Sequence, residues 1–167
     1  GVTTIGNMTF LGESESILGG LEREAALVRE DAIADVILHP VLGDPRQEII
    51  DEIPQAVAAG HTDIKYFMSM SAFDRKLRGY LDATAMAGRH GAITMIHCED
   101  HAIIAQCVAR LMAEGRGSLR NYPESRPIVS EVVAVQRAVA ICEVTEAPVY
   151  IVHLSSERAM EVCQEAQ

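Results

Sequence analysis

Two spacings of apolar residues alternate along the chain. Short, mostly β-branched runs at 2–5 (VTTI), 34–41 (ADVILHPV), 64–68 (IKYFM), 92–97 (AITMIH) and 148–154 (PVYIVHL) read as strands. The first four begin about 30 residues apart, the length of one βα unit. The runs are near-continuously apolar, which predicts a parallel sheet buried on both faces. Between them lie stretches of helical period. Residues 14–29 place Leu18, Leu21, Ala25 and Val28 on one face. Residues 47–59 follow Asp44-Pro45, an N-cap and first-turn proline signal, and Gly60 closes the segment. Further helices are expected over 78–89, 101–113 and 130–145, the last with Ser130 as N-cap. Ser155 or Ser156 caps a final helix. The longer gap before the fifth strand holds two helices and a polar loop, 116–127. The order β-α-β-α-β-α-β-α-α-β-α fits a doubly wound sheet or part of a (β/α)8 barrel. No linker or low-complexity segment divides the chain, so 1–167 is read as one unit. No glycine-rich phosphate-binding fingerprint follows any strand, which removes the main support for a nucleotide fold.

Composition narrows the function classes. The 167 residues are 49% hydrophobic and 23% charged, enough for a buried core. Aromatics make up 4% and Trp is absent, so a mainly aliphatic core is expected. Lys and Arg total 14 against 24 Asp and Glu, a net charge of -10. That balance argues against nucleic acid or an anionic membrane surface as the main partner. No apolar run reaches the ~18–20 residues of a membrane span. Cys98, Cys107, Cys142 and Cys163 form no C-x-x-C pair. They are read as reduced, buried thiols of a cytoplasmic protein rather than as disulfides or a zinc knot. The opening Gly1-Val2-Thr3-Thr4-Ile5 has no Met and no polar lead-in, as if the chain began inside a strand of something longer.

In parallel α/β folds the reactive side chains sit at the carboxyl ends of strands. Three predicted strands carry titratable groups there: Lys65, His97 and His153. Lys65 is the most informative, because a bare ammonium inside a buried strand is costly. It can pair with a carboxylate such as Glu99 or Asp63. It can lose its proton and serve as base or Schiff-base amine. Or CO2 can carbamylate it, turning a cation into an anionic oxygen ligand. A lone strand-end histidine is usually a hydrogen-bonded core residue, but two on the rim that holds an anomalous lysine favour a metal site, and neutral imidazole suits zinc. His39 also ends a strand on that rim. His61 lies in a turn at the opposite rim, and His90 at a helix end. Glu99 and Asp100 read as acids favouring a helix dipole, with Glu99 also able to reach the site. His101 follows them and could support the ligands.

Four stretches taken together resemble the cyclic amidohydrolases, the group of dihydropyrimidinase, hydantoinase, allantoinase and dihydroorotase. They are Ile64-Lys65-Tyr66-Phe67-Met68, Met95-Ile96-His97-Cys98-Glu99-Asp100, Ser125-Arg126-Pro127 with Glu131, and Val149 through Ser156 (VYIVHLSS). The opening Gly1-Val2-Thr3-Thr4 resembles the second barrel strand of that family. The separations, 32 positions from Lys65 to His97 and 56 from His97 to His153, keep the family's order.

The resemblance implies a (β/α)8 barrel, of which these strands are the second to sixth, and a cytoplasmic homo-oligomer. It implies two zinc ions bridged by a carbamylated lysine at Lys65, with His97 and His153 binding one of them. A metal-bound hydroxide then attacks the carbonyl of a hydantoin- or dihydropyrimidine-type ring. The family's first-strand His-x-His pair has no counterpart in the chain, and its eighth-strand aspartate would lie beyond Gln167. A full barrel needs ~250 residues, so the expectation is a central section of a longer enzyme, inactive by itself. The substrate-binding tyrosine usual five residues after the lysine is replaced by Met70. Tyr66 should face away from Lys65. The alternatives are an allantoinase- or dihydroorotase-type enzyme, or a dihydropyrimidinase-like scaffold without catalysis.

Overall fold

A computed structural model describes all 167 residues. Five strands form one parallel sheet: β1 (Thr4–Phe10), β2 (Asp35–Val41), β3 (Asp63–Phe67), β4 (Ile93–His97) and β5 (Val149–Ile151). Each lies beside its successor, in the order β1-β2-β3-β4-β5. A doubly wound sheet reverses direction at a switch point. This sheet never does, so every crossover advances one strand the same way, as in a (β/α)8 barrel. Between the strands run α1 (Ile17–Asp31), α2 (Gln47–Ala58), α3 (Ala72–Arg75), α4 (Leu77–Arg89), α5 (His101–Ala113), a 3-10 turn (Leu119–Ser125), α6 (Ile128–Thr145) and, after β5, α7 (Glu157–Glu165). No helix is long and apolar enough to cross a membrane.

The register explains which residues become core. Leu38, Ile64, Tyr66 and Ile96 point to the helical side and join two buried clusters. The first is aliphatic, with Ile17, Ile49, Ile50 and Ile53 of α1 and α2. The second adds an aromatic cluster to a core that is otherwise mainly aliphatic, as expected. Tyr66, Phe73 and Tyr80 pack there with ring centroids 4.8–5.8 Å apart. Their hydroxyls are satisfied: Tyr66 pairs with Thr84 Oγ1 at 3.3 Å, and Tyr80 donates to the Gly43 carbonyl at 3.1 Å. Few aromatics suffice because three of them occupy one place.

The opposite sheet face differs from the expectation of burial on both sides. Phe10, Ile37 and Tyr150 on that face are each more than half exposed. The crossovers all return over the other face, and within the chain nothing covers this one. Lys65 is nevertheless 1% exposed, because the neighbouring side chains of the same face enclose it.

Local chemistry shifts several boundaries. The first strand runs later than 2–5 and takes in polar Asn7 and Thr9, because its parallel ladder with β2, from Thr4↔Asp35 to Phe10↔Val41, outweighs the weak local pattern. Asp44 does not cap α2: Arg46 holds the N-cap position, and Asp44 pairs with Lys76 at 2.8 Å. The longest helix starts at Ile128 behind Pro127, two residues before Ser130. Asp100 caps α5 by accepting from Ile103 N, and Ser156 caps α7. Gly60 follows α2 with positive φ, as expected, and Gly91 and Gly115 follow α4 and α5 in the same way. The polar loop contains the 3-10 turn, and the short α3 was not legible in the periodicity.

One glycine tests the packing directly. A Cβ on Gly88 of α4 would stand 2.4 Å from Ala147 Cβ. In an unpacked helix, Gly→Ala stabilises by about 1 kcal/mol. Here overpacking outweighs that gain, and Gly88→Ala lowers stability by about 1–2 kcal/mol in urea unfolding. A more stable variant would contradict this contact.

Candidate metal and active site

The carboxyl ends of β3, β4 and β5 gather the titratable groups. Parallel pairing sets Phe67 beside His97 and Lys65 beside Met95, so Lys65, Phe67 and His97 share one face. His153 follows β5 in a left-handed conformation, φ 39°, which a non-glycine residue adopts only where its surroundings enforce it. That turn carries its ring back toward β4. His97 Nδ1 and His153 Nε2 lie 2.8 Å apart, with the rings edge-on at 69°. Two residues 56 positions apart thus aim ring nitrogens at one point.

His97 is held from its other side as well. Its Nε2 lies 2.7 Å from Glu99 Oε2, and that oxygen also accepts from Arg126 Nη1 at 2.6 Å. Burial pushes the His97 pKa down, against the raising effect of Glu99, and the nearby His153 and Lys65 add to the depression. The imidazole is thereby kept neutral, the form that binds metals.

Lys65 contacts no carboxylate, which removes the ion-pair outcome. Asp63 is taken by His39, whose Nδ1 lies 2.9 Å from both carboxylate oxygens, and Glu99 is taken by His97 and Arg126. Lys65 Nζ donates to the Tyr66 carbonyl at 3.1 Å and sits 3.8 Å from the centre of the Phe67 ring. Burial lowers its pKa to about 8. The amine is therefore easily deprotonated, as reaction with CO2 requires. The Phe67 ring in turn lies 5.2 Å from that of His97. Tyr66 points away into the helical core, as expected.

A cavity of about 530 Å3 opens beside the two histidines. Arg126, Glu131, Ser155 and Ser156 line it together with His97, Glu99 and His153. Sequence reasoning did not assign these four a role at the site. The available signal was a run of polar residues in loops flanking both histidines. Glu131 receives Ser155 N at 2.8 Å, Ser155 Oγ at 2.9 Å and the Ser156 hydroxyl. Burial raises its pKa, but these hydrogen bonds outweigh burial and hold the carboxyl below its ordinary value. Arg126 Nε is buried without a partner. His39, His61 and His90 stand apart: His39 pairs with Asp63 one layer nearer the amino ends of the strands, and His90 ends α4. His101 Nδ1 meets the Ser69 carbonyl at 2.9 Å, bracing the loop after β3. Cys98 is buried with its thiol pushed up to about 12, which makes it inert as a nucleophile.

Whether these residues fit a metal follows from their chemistry. Two ring nitrogens converge from adjacent strand ends, matching two zinc ligands, and Glu99 on the far ring nitrogen of His97 is the usual support for such a ligand. No cluster of three or more His, Cys, Asp or Glu side chains assembles within the chain. The residues present therefore fit part of a metal site.

The chain as a whole has known relatives. The chain is 29% identical over 161 residues to a D-hydantoinase from Streptomyces coelicolor, covering 96% of this chain and 34% of that protein. It is 31% identical over 157 residues to a D-phenylhydantoinase from Escherichia coli, covering 92% and 33%. The chain is homologous to the hydantoinases. An allantoinase from Deinococcus radiodurans is 32% identical over 123 residues, covering 71% of this chain and 27% of that one. The hydantoinase-like fold extends to solved structures. A D-hydantoinase superposes with a TM-score of 0.91 at 26% identity, over 99% of this chain and 36% of that one. A dihydropyrimidinase from Brevibacillus agri gives a TM-score of 0.90 at 24% identity, over the same shares. The chain spans about a third of the length of the curated relatives it matches. No protein-family model matches it.

The unpaired lysine yields a test. Lys65→Met keeps length and removes a buried amine that has no counter-ion. It should raise the stability of the metal-free protein by about 1–3 kcal/mol in urea unfolding. A loss of stability would show that the Tyr66 and Phe67 contacts compensate the amine fully.

Proposed function

We propose that this chain forms part of the catalytic barrel of a metal-dependent cyclic amidohydrolase that opens a C–N bond of a hydantoin- or dihydropyrimidine-type ring. The observation that carries the reading is the meeting of His97 Nδ1 and His153 Nε2 at 2.8 Å, beside a desolvated, unpaired Lys65, on the strand-end rim of a fold shared with hydantoinases. In the hydrolysis, water gives its oxygen to the ring carbonyl carbon and a proton to the departing ring nitrogen. Zinc bound there would polarise that carbonyl and lower the pKa of the attacking water.

The chain's residues have separate tasks in this reading. His97 and His153 hold the metal through neutral nitrogens. Lys65, as the amine, adds to CO2 and releases a proton, becoming an anionic carbamate. Its enclosure supports that role, since burial favours the uncharged amine. The cavity beside the histidines receives the ring. Arg126 lines that cavity while its Nη1 holds Glu99 against His97. The similarity to an allantoinase supports allantoin as the second substrate to try.

The intact protein, assayed against hydantoin, dihydrouracil, allantoin and dihydroorotate, should hydrolyse one of the first two fastest. Metal analysis should find about two zinc ions per barrel, lost together with activity in Lys65→Ala. Full activity in a metal-free preparation would refute the proposal.

A further inference from the structure

We infer that Ser130 and Glu131, adjacent in the first turn of α6, are positioning residues that set the separation of His97 and His153. That role rests on the reading of the two rings as ligands proposed above, and concerns how the pair of rings is held.

His97 ends β4 and His153 follows β5, and the ladder between these strands ends with Val152 N bonded to the Ile96 carbonyl, so the loops that carry on from the two histidines need a tether of their own. The first turn of α6 touches both. Ser130, fully buried, grips the loop after His97. Its Oγ accepts from Asp100 N at 2.9 Å and donates to the Asp100 carbonyl at 3.3 Å, and its own carbonyl accepts from Asp100 N at 3.1 Å. Asp100 then caps α5, so the segment carrying His97 and Glu99 is pinned at its end.

Glu131 grips the loop after His153. Both of its carboxylate oxygens are used, one by the amide and hydroxyl of Ser155 and the other by the hydroxyl of Ser156. Ser156 also caps α7 by accepting from Ala159 N at 3.3 Å. The left-handed His153 is therefore bracketed. Val152 N is bonded to the Ile96 carbonyl before it, and Ser155 is bonded to Glu131 after it. A conformation that costs of order 1 kcal/mol or more persists only under such constraint.

Because Ser130 and Glu131 are consecutive in a helix, the distance between their two grips is fixed by helix geometry. The helix start also favours a carboxylate at Glu131. A rigid turn of α6 thus acts as a spacer between two loops whose rings meet at 2.8 Å.

The test reads the rings without metal. In the metal-free intact protein, side-chain 15N spectra should show His97 and His153 each in one dominant tautomer. In Glu131→Gln and in Ser130→Ala, both signal pairs should move toward the averaged values of free imidazole, while His61 and His90 stay in place. Unchanged His97 and His153 signals in folded variants would overturn the inference. Should Glu131→Gln not fold, Ser155→Ala and Ser156→Ala remove its partners singly and should produce the same movement. Addition of Zn2+ to the wild type separates the two readings. Signals that ignore the metal refute the ligand role of the rings, and the shifts in the metal-free variants still decide the role of Ser130 and Glu131.

Discussion

A parallel sheet in which each strand lies beside the next delivers all its carboxyl ends to one rim, and the candidate site depends on that constraint. Reversing the order at β3 or β4 would move β3, β4 and β5 out of contact. The register then decides which side chains share a face: Lys65 and Phe67 of β3 beside Met95 and His97 of β4. Helix packing on the other face, through Tyr66, Ile96 and the α4–α6 layer, holds these strands flush. The core's contribution to function is therefore positional.

At the rim the balance is between desolvation and partnership. Glu131 is buried but fully hydrogen-bonded, and its charged form is favoured. Lys65 is buried with only a carbonyl and an aromatic face, and its charged form is disfavoured. His97 has a carboxylate on one nitrogen and another imidazole on the other, and burial keeps it neutral. These opposite outcomes within one rim suit metal chemistry, in which the amine and imidazoles must be uncharged and the supporting acids charged.

Much of this was legible in the sequence, for identifiable reasons. The strands at 34–41, 64–68 and 92–97 stand out because burial demands apolar runs, and Lys65, His97 and His153 stand out because they interrupt them. The first strand was misplaced because its polar Asn7 and Thr9 are paired by the ladder with β2 rather than by local preference. Asp44 and Ser130 looked like caps, yet each is used by a distant partner, Lys76 and Asp100. The roles of Arg126 and Glu131 were hidden for the same reason. Their meaning lies in contacts 24–27 residues away, which periodicity does not carry. The left-handed turn at His153 has no signal in the residue type itself.

Zinc-edge anomalous diffraction from crystals of the intact protein grown with zinc tests the central claim most directly. The account predicts a peak about 2.0–2.1 Å from both His97 Nδ1 and His153 Nε2, with added density on Lys65 Nζ shaped like a carboxylate. Zinc-loaded crystals in which the two rings remain bonded to each other, with no peak between them and a bare lysine amine, would contradict it.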